Sequence, residues 1–126
     1  MSTGIEQMKE LGVQRIYVIS PYVHDDEEVM DVRYEEALRA CGKLLLEGFH
    51  PLSVIVHCHP IAKMFNLPRG RQFWGDYDNT FITWAQAGYV LCFDHWWTSR
   101  GSKEDIHELW SQKKPVFYSD PMNHAP

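Results

Sequence analysis

Apolar residues in this chain alternate between short continuous runs and longer stretches where they recur every three or four positions. The first pattern predicts strands and the second amphipathic helices. Arg15-Ile16-Tyr17-Val18-Ile19-Ser20 is β-branched and aromatic and stops at Pro21, so it reads as a buried first strand. Residues 1–14 carry little signal, since Gly4 and Gly12 interrupt any helical pattern, and they read as a loose leader. From about Glu27 to Glu47, Val29, Tyr34, Ala37, Leu38, Cys41, Leu44 and Leu45 keep helical spacing, with Asp25 or Asp26 as N-cap and Gly48 as terminator. Pro51-Leu52-Ser53-Val54-Ile55-Val56 reads as a second strand running into His57-Cys58-His59-Pro60. Residues 60–71 read as a short helix and a loop. Trp74, Tyr77, Phe81, Trp84 and Ala85 then mark a long helix from about Gln72 to Gln86. A third strand over Tyr89–Phe93, a helix from about Ser102 to Gln112, a short strand over Pro115–Tyr118 and a polar tail over Asp120–Pro126 complete the chain.

Strands alternating with helices predict one α/β domain over residues 1–126. The expected layout is a small doubly wound, flavodoxin-like parallel sheet of four to five strands with helices on both faces. A chain of 126 residues can bury a real core. Its formal charge of −5 argues against wrapping polymeric nucleic acid, which needs a basic face. A nucleotide-sized ligand remains compatible, because it needs only one or two local cations and some N–H donors. No apolar run approaches membrane-spanning length and no signal-peptide core appears, so neither a membrane partner nor export is expected. Cys41, Cys58 and Cys92 are odd in number, lack CxxC spacing and fall inside expected elements, which predicts free buried thiols in a reducing cytoplasm.

Every candidate chemical group follows the carboxyl end of a strand. Tyr17 lies in the first strand, with Ser20, Tyr22 and His24 after it; His57 and His59 follow the second. Asp94, Trp96, Ser99, Arg100, Gly101, Ser102, Glu104 and Asp105 follow the third. A doubly wound sheet brings such loops to one edge, where ligands bind. In the last of them the reading is a turn around Gly101, with Glu104 and Asp105 in the first helical turn beside freed N–H groups and the positive dipole end. Acids there are also ordinary helix-start residues. The i, i+2 spacing of His57 and His59 would put both rings on one face of an extended chain. A closed zinc site needs three or four ligands and no partner pattern accompanies them, so they read as hydrogen-bonding histidines at a pocket rim. No Walker or dinucleotide loop and no G-x-S-x-G elbow is present. Arg33, Arg69, Arg71 and Arg100 are the candidate anion binders, with Arg100 best placed. Trp74, Trp96 and Trp97, with Tyr22, suit a stacked base.

Several motifs together resemble one family. They are Ser20-Pro21-Tyr22 with His24, Arg33-Tyr34, Ser53-Val54-Ile55-Val56-His57-Cys58-His59-Pro60-Ile61-Ala62, Trp74 with Asp78, and Trp96-Trp97-Thr98-Ser99-Arg100-Gly101. The family is DUF1937, small bacterial and phage proteins grouped by fold with the nucleoside 2-deoxyribosyltransferases, and the resemblance runs from about Arg15 to Tyr118. It implies cleavage of the N-glycosidic bond of a nucleoside or nucleotide, or 2-deoxyribosyl transfer, by a carboxylate that attacks C1′. Matching the glycine turn puts the nucleophile at Asp105, one methylene shorter than the Glu that relatives usually carry there. Tyr17 matches a tyrosine that orients the nucleophile, and Asp78 resembles an aspartate used around the sugar or base. Ser99 and the N–H groups around Gly101 and Ser102 would suit the 5′-phosphate of a nucleotide substrate, and Asp94 either accepts from a sugar hydroxyl or caps the loop. The resemblance further implies no metal or redox cofactor, a small-molecule partner and a homo-oligomer; exposed aromatics on the Trp74–Trp84 helix would supply an apolar patch for a dimer. The alternatives are a nucleotide-binding sensor or sequestering module without turnover, and a metal-assisted hydrolase built on His57, His59 and an acid.

Overall fold

The computed structural model describes residues 3–120. Four strands, β1 (Arg15–Ile19), β2 (His50–Leu52), β3 (Ala87–Val90) and β4 (Val116–Tyr118), form a parallel sheet in the order β2-β1-β3-β4. Five helices connect or precede them: α1 (Gly4–Leu11), α2 (Glu27–Leu46), α3 (Val54–Phe65), α4 (Arg71–Trp84) and α5 (Arg100–Ser111). α1 and α2 share one apolar cluster with Ile16, Val18, Tyr89 and Leu91. α4 and α5 share the other, with Tyr17, Ile19 and Val90. The alternating side chains of the central strands thus feed two cores, one on each face. No helix among the described residues is long and apolar enough to cross a membrane. Cys41 and Cys58 are buried and Cys92 half-buried, all three as free thiols.

Four local expectations change. The leader is a helix, α1, whose ends are the two glycines that seemed to break it. Thr3 and Glu6 form a capping box at its start, and Gly12, at φ +79°, closes it. Gly4 is needed because a Cβ there would lie 2.3 Å from the carbonyl oxygen of Tyr118. Met8 is fully buried in the core, so α1 is part of the domain.

The second strand stops at Leu52, opposite Tyr17. Ser53 then caps α3, its hydroxyl accepting from the Val56 amide at 3.2 Å. The Val54-Ile55-Val56 run is a first helical turn. Each β-branched residue there costs about 0.5 kcal/mol in helix propensity, which packing of Ile55 and Val56 against the α2 core outweighs. His57, Cys58, His59 and Pro60 consequently sit inside the helix.

β3 starts and stops earlier than its apolar run, because register with Ile16 to Ile19 fixes it at Ala87–Val90. The chain turns at Asp94 and His95, both at positive φ, and makes a single 3-10 turn over Trp96–Thr98. α5 begins at Arg100 with Ser99 as N-cap. Gly101 is therefore helical rather than a turn, and Glu104 and Asp105 lie in the second helical turn instead of the first. The expected polar tail, apart from Asp120, lies outside the described residues.

Candidate active site

β1 connects to α2 on one side and β3 to α5 on the other, so the strand order reverses between these two central strands. A crevice opens at such a switch point, beyond the carboxyl ends of the strands. Here it is a cavity of about 840 Å³, lined from the loop after β1, from α2, α3 and α4, and from the segment leading into α5. That volume suits a nucleotide-sized ligand.

The wall built by α4 and α5 is dense in charge. Arg71, the first residue of α4, donates from Nη1 to Asp105 Oδ1 at 2.7 Å. Its Nε lies 3.3 Å from Glu104, and the same Nη1 lies 3.7 Å from Asp78 Oδ2. Tyr17, buried in β1, donates from its hydroxyl to Asp105 Oδ2 at 3.4 Å. Asp105 thus has a partner on each oxygen. Asp78 is the strained member: burial, with the charge of Asp105 added, pushes its carboxyl up to about 7 against the pull of Arg71. Burial raises Asp105 too, and the hydrogen bond and charge of Arg71 hold it back. Tyr17 stays a phenol, raised well above its ordinary range by burial and then by Asp105 and Asp78. Asp78 Oδ1, Ser20 Oγ and Ser102 Oγ are buried without a hydrogen-bond partner, and all three residues line the cavity. A buried polar group without a partner costs about 1–3 kcal/mol, so these three are the groups on the cavity lining with most to gain from a polar ligand.

The wall built by α2 and α3 carries a hydrogen-bonded chain instead. The hydroxyl of Tyr22 lies 2.6 Å from Nδ1 of His59, and Nε2 of His59 lies 2.9 Å from Asp31 Oδ1. Lys63, one turn along α3 from His59, donates to the same carboxylate at 3.0 Å. Its hydrogen bond, then that of His59, lowers Asp31 below the ordinary carboxylate value. Tyr34 stacks on the buried imidazole with ring centroids 4.4 Å apart. Between the walls, Arg33 bonds Asp94 at 2.7 Å and the Val23 carbonyl at 3.1 Å, tying the loop after β1 to the turn after β3.

Most residues expected from sequence meet here. Tyr17, Ser20, Tyr22, His24, His59, Asp78, Asp94, Ser99, Arg100, Gly101, Ser102 and Asp105 all line the cavity. His57 does not: two positions apart on a helix means about 200° of rotation, which sends it to the exposed side of α3 while His59 turns inward. The single face on which both imidazoles would have met a metal is therefore absent. Trp96 also falls outside, packed against the α5 core and Tyr118. Among the arginines, Arg100 is almost fully exposed and pairs with Glu104, whereas Arg71 holds the carboxylates. Glu104 shares that guanidinium instead of lying apart from Asp105. Asp31 and Lys63 belong to no motif of the sequence. The available signal was the i, i+4 spacing of His59 and Lys63, legible only once α3 is known to be a helix.

No curated protein matches this sequence. A family model, Domain of unknown function (DUF1937), matches residues 14–120. That span runs from the start of β1 past the end of β4 and includes every side chain of both cavity walls, so the chain belongs to the DUF1937 family.

Proposed function

We propose that this protein cleaves the N-glycosidic bond of a nucleoside or nucleotide, by hydrolysis or by 2-deoxyribosyl transfer, with Asp105 as the nucleophile. One observation carries the reading: a half-buried carboxylate held on both oxygens, by Arg71 and by Tyr17, at a cavity of nucleotide size. Two fixed partners set the direction of its lone pairs, the positioning that nucleophilic substitution at a sugar carbon demands. The hydrogen bond and charge of Arg71 oppose the burial that raises Asp105, while burial, with the charge of Asp105 added, pushes the neighbouring Asp78 up to about 7. Two carboxyl groups in unlike environments take unlike roles, and the one gripped by Arg71 and Tyr17 is the candidate nucleophile.

In the proposed step, Asp105 attacks C1′ and the base departs with the bonding electron pair. Water or a second base then displaces Asp105 from the sugar. Asp78 donates a hydrogen bond to a sugar hydroxyl, and Ser20 and Ser102 are satisfied by the sugar or its 5′-phosphate. The chemistry requires neither metal nor redox cofactor. The reducing cytoplasm of a bacterial or phage-infected cell suits the three free thiols. Exposed Phe73 and Trp84 on α4 suit a homo-oligomer contact.

The test is base release from a panel of nucleosides and nucleotides, followed by chromatography. Activity in the wild type that vanishes in Asp105→Ala supports the proposal, and no release above that control across the panel removes it. A second reading, a nucleotide-binding module without turnover, is favoured by the 2.7 Å contact with which Arg71 occupies Asp105. Saturable nucleotide binding without product, unchanged in Asp105→Asn, would establish it.

A further inference from the structure

N-glycosidic cleavage needs two things on opposite sides of C1′. A nucleophile enters on one side, and on the other a proton donor meets a base whose anion is a poor leaving group. Asp78 is badly situated for the second task, because it approaches the same Arg71 nitrogen as Asp105 and so lies on the nucleophile's side. We propose that the leaving-group proton comes from the facing wall, from the Tyr22 hydroxyl, and that His59, held by Asp31, supplies and reclaims it. The inference rests on the glycosidic reading above and assigns the residue that protonates the departing base.

The geometry is that of a hydroxyl–imidazole–carboxylate chain. Tyr22 OH to His59 Nδ1 is 2.6 Å and His59 Nε2 to Asp31 is 2.9 Å. A carboxylate only accepts, so Nε2 carries a hydrogen and the chain has one direction. With one extra proton aboard, His59 donates from both ring nitrogens and the Tyr22 oxygen accepts from Nδ1–H. The phenolic hydrogen is then turned toward the cavity, which Tyr22 lines. Without that proton, Tyr22 donates to Nδ1 and offers the cavity an acceptor. Stacking on Tyr34 fixes the plane of the ring, and Lys63 keeps Asp31 ionised from outside. The other charged or titratable groups near Tyr22 are Arg69 and Cys58.

The step balances. The Asp105 oxygen–C1′ bond forms as the C1′–N bond breaks, and its electron pair goes to the base. The base takes the phenolic hydrogen, and the Tyr22 oxygen takes the Nδ1 hydrogen of His59. In the second half, water attacks C1′ and frees Asp105, and the proton that water loses returns through Tyr22 to His59. Tyr22 is thus a catalytic residue, with His59 and Asp31 as positioning residues behind it.

Leaving-group dependence tests this. Tyr22→Phe, His59→Gln and Asp31→Asn are compared with wild type on the best nucleoside of the panel. Two substrates whose leaving groups need no proton, the nitrophenyl glycoside of the same sugar and a 7-methylated purine nucleoside, provide the contrast. Tyr22→Phe, which keeps the ring, should lose about 10²-fold or more on the natural nucleoside and stay within about threefold of wild type on the activated pair. His59→Gln and Asp31→Asn should repeat that selectivity with smaller losses. Equal losses on both substrate classes, no loss on the natural nucleoside, or the selective pattern in Asp78→Asn instead would overturn the assignment. So would wild type that releases a natural base but cleaves neither activated substrate. Wild type inactive on every substrate removes the glycosidic reading itself, whereas active wild type with an unselective Tyr22→Phe removes only this inference.

Discussion

The two walls of the cavity solve the problem of burying polar groups in different ways. The α4–α5 wall gathers Asp78, Glu104 and Asp105 around Arg71, with the exposed Arg100 reaching only Glu104, and burial with the charge of Asp105 leaves Asp78 to hold a proton up to about 7. The α2–α3 wall matches donors to acceptors along a chain from Tyr22 through His59 and Asp31 to Lys63. An unbalanced charge cluster in a partly dry place is expensive and is poised to react with, or bind, something that relieves it. A satisfied chain is cheap, rigid and suited to passing a proton. The contrast teaches that one cavity can hold an unbalanced charge cluster and a satisfied hydrogen-bonded chain side by side, because α4 and α5 carry the first while the loop after β1, α2 and α3 carry the second.

The sharpest way to break the comparison is to remove the reactive group from one wall only. Asp105→Asn keeps the shape and removes the nucleophile, so base release should fall on the order of 10⁴-fold, far more than any substitution on the facing wall. If Tyr22→Phe costs as much as Asp105→Asn, the walls are not specialised as described.

The next effect is mechanical. Gly88 in β3 lets α5 sit close: a Cβ there would lie 2.4 Å from Cδ1 of the fully buried Leu109. Gly88→Ala should cost about 1–3 kcal/mol in denaturant unfolding. By displacing α5 it should also lower turnover by about a hundredfold, with the Tyr22 wall untouched. Unchanged turnover would mean that Asp105 is not positioned through α5 packing.

Asp78 sharpens the comparison through pH. Its folded value of about 7 lies above the ordinary 3.8, so between these values the native state holds a proton that the unfolded chain has lost. Stability therefore falls as pH rises from about 4 to about 7, and the penalty is complete above that. Asp78→Asn removes the penalty, so its unfolding free energy should gain on wild type by a few kcal/mol between pH 4 and pH 8. Parallel pH profiles would show that Asp78 carries no such strain. The smallest effect belongs to His57: His57→Ala should change stability by less than about 0.5 kcal/mol and leave turnover unchanged, while its neighbour-but-one His59 tolerates no such change.

How much of this was legible in the chain follows from which interactions are local. The apolar periodicity of Glu27–Leu46, the Asp26 cap and the buried run Arg15–Ile19 depend on neighbours in sequence, and each element lies where its pattern puts it. The alternation of strand and helix sufficed for a parallel α/β sheet and for gathering most of the candidate side chains around one cavity at its carboxyl edge. Val54-Ile55-Val56 and Gly4 were ambiguous locally, because β-branched residues fit a strand or a buried helical turn and glycine breaks a helix or begins one. Only register with β1 and the contact with Tyr118 decided them.

The sequence by itself determined the element types, the sheet class and the set of side chains near the strand ends, since these follow from backbone periodicity and hydrophobic patterning. Tertiary structure alone decided which of those side chains share charge and protons. Arg71 and Asp105 stand 34 positions apart, Tyr17 and Asp105 88, and His59 and Asp31 28. Hydrogen bonds and ion pairs act over about 3 Å, and no spacing rule reaches across such separations. The turn of α3 that faces His59 inward and His57 outward put one histidine on the cavity wall and left the other to solvent.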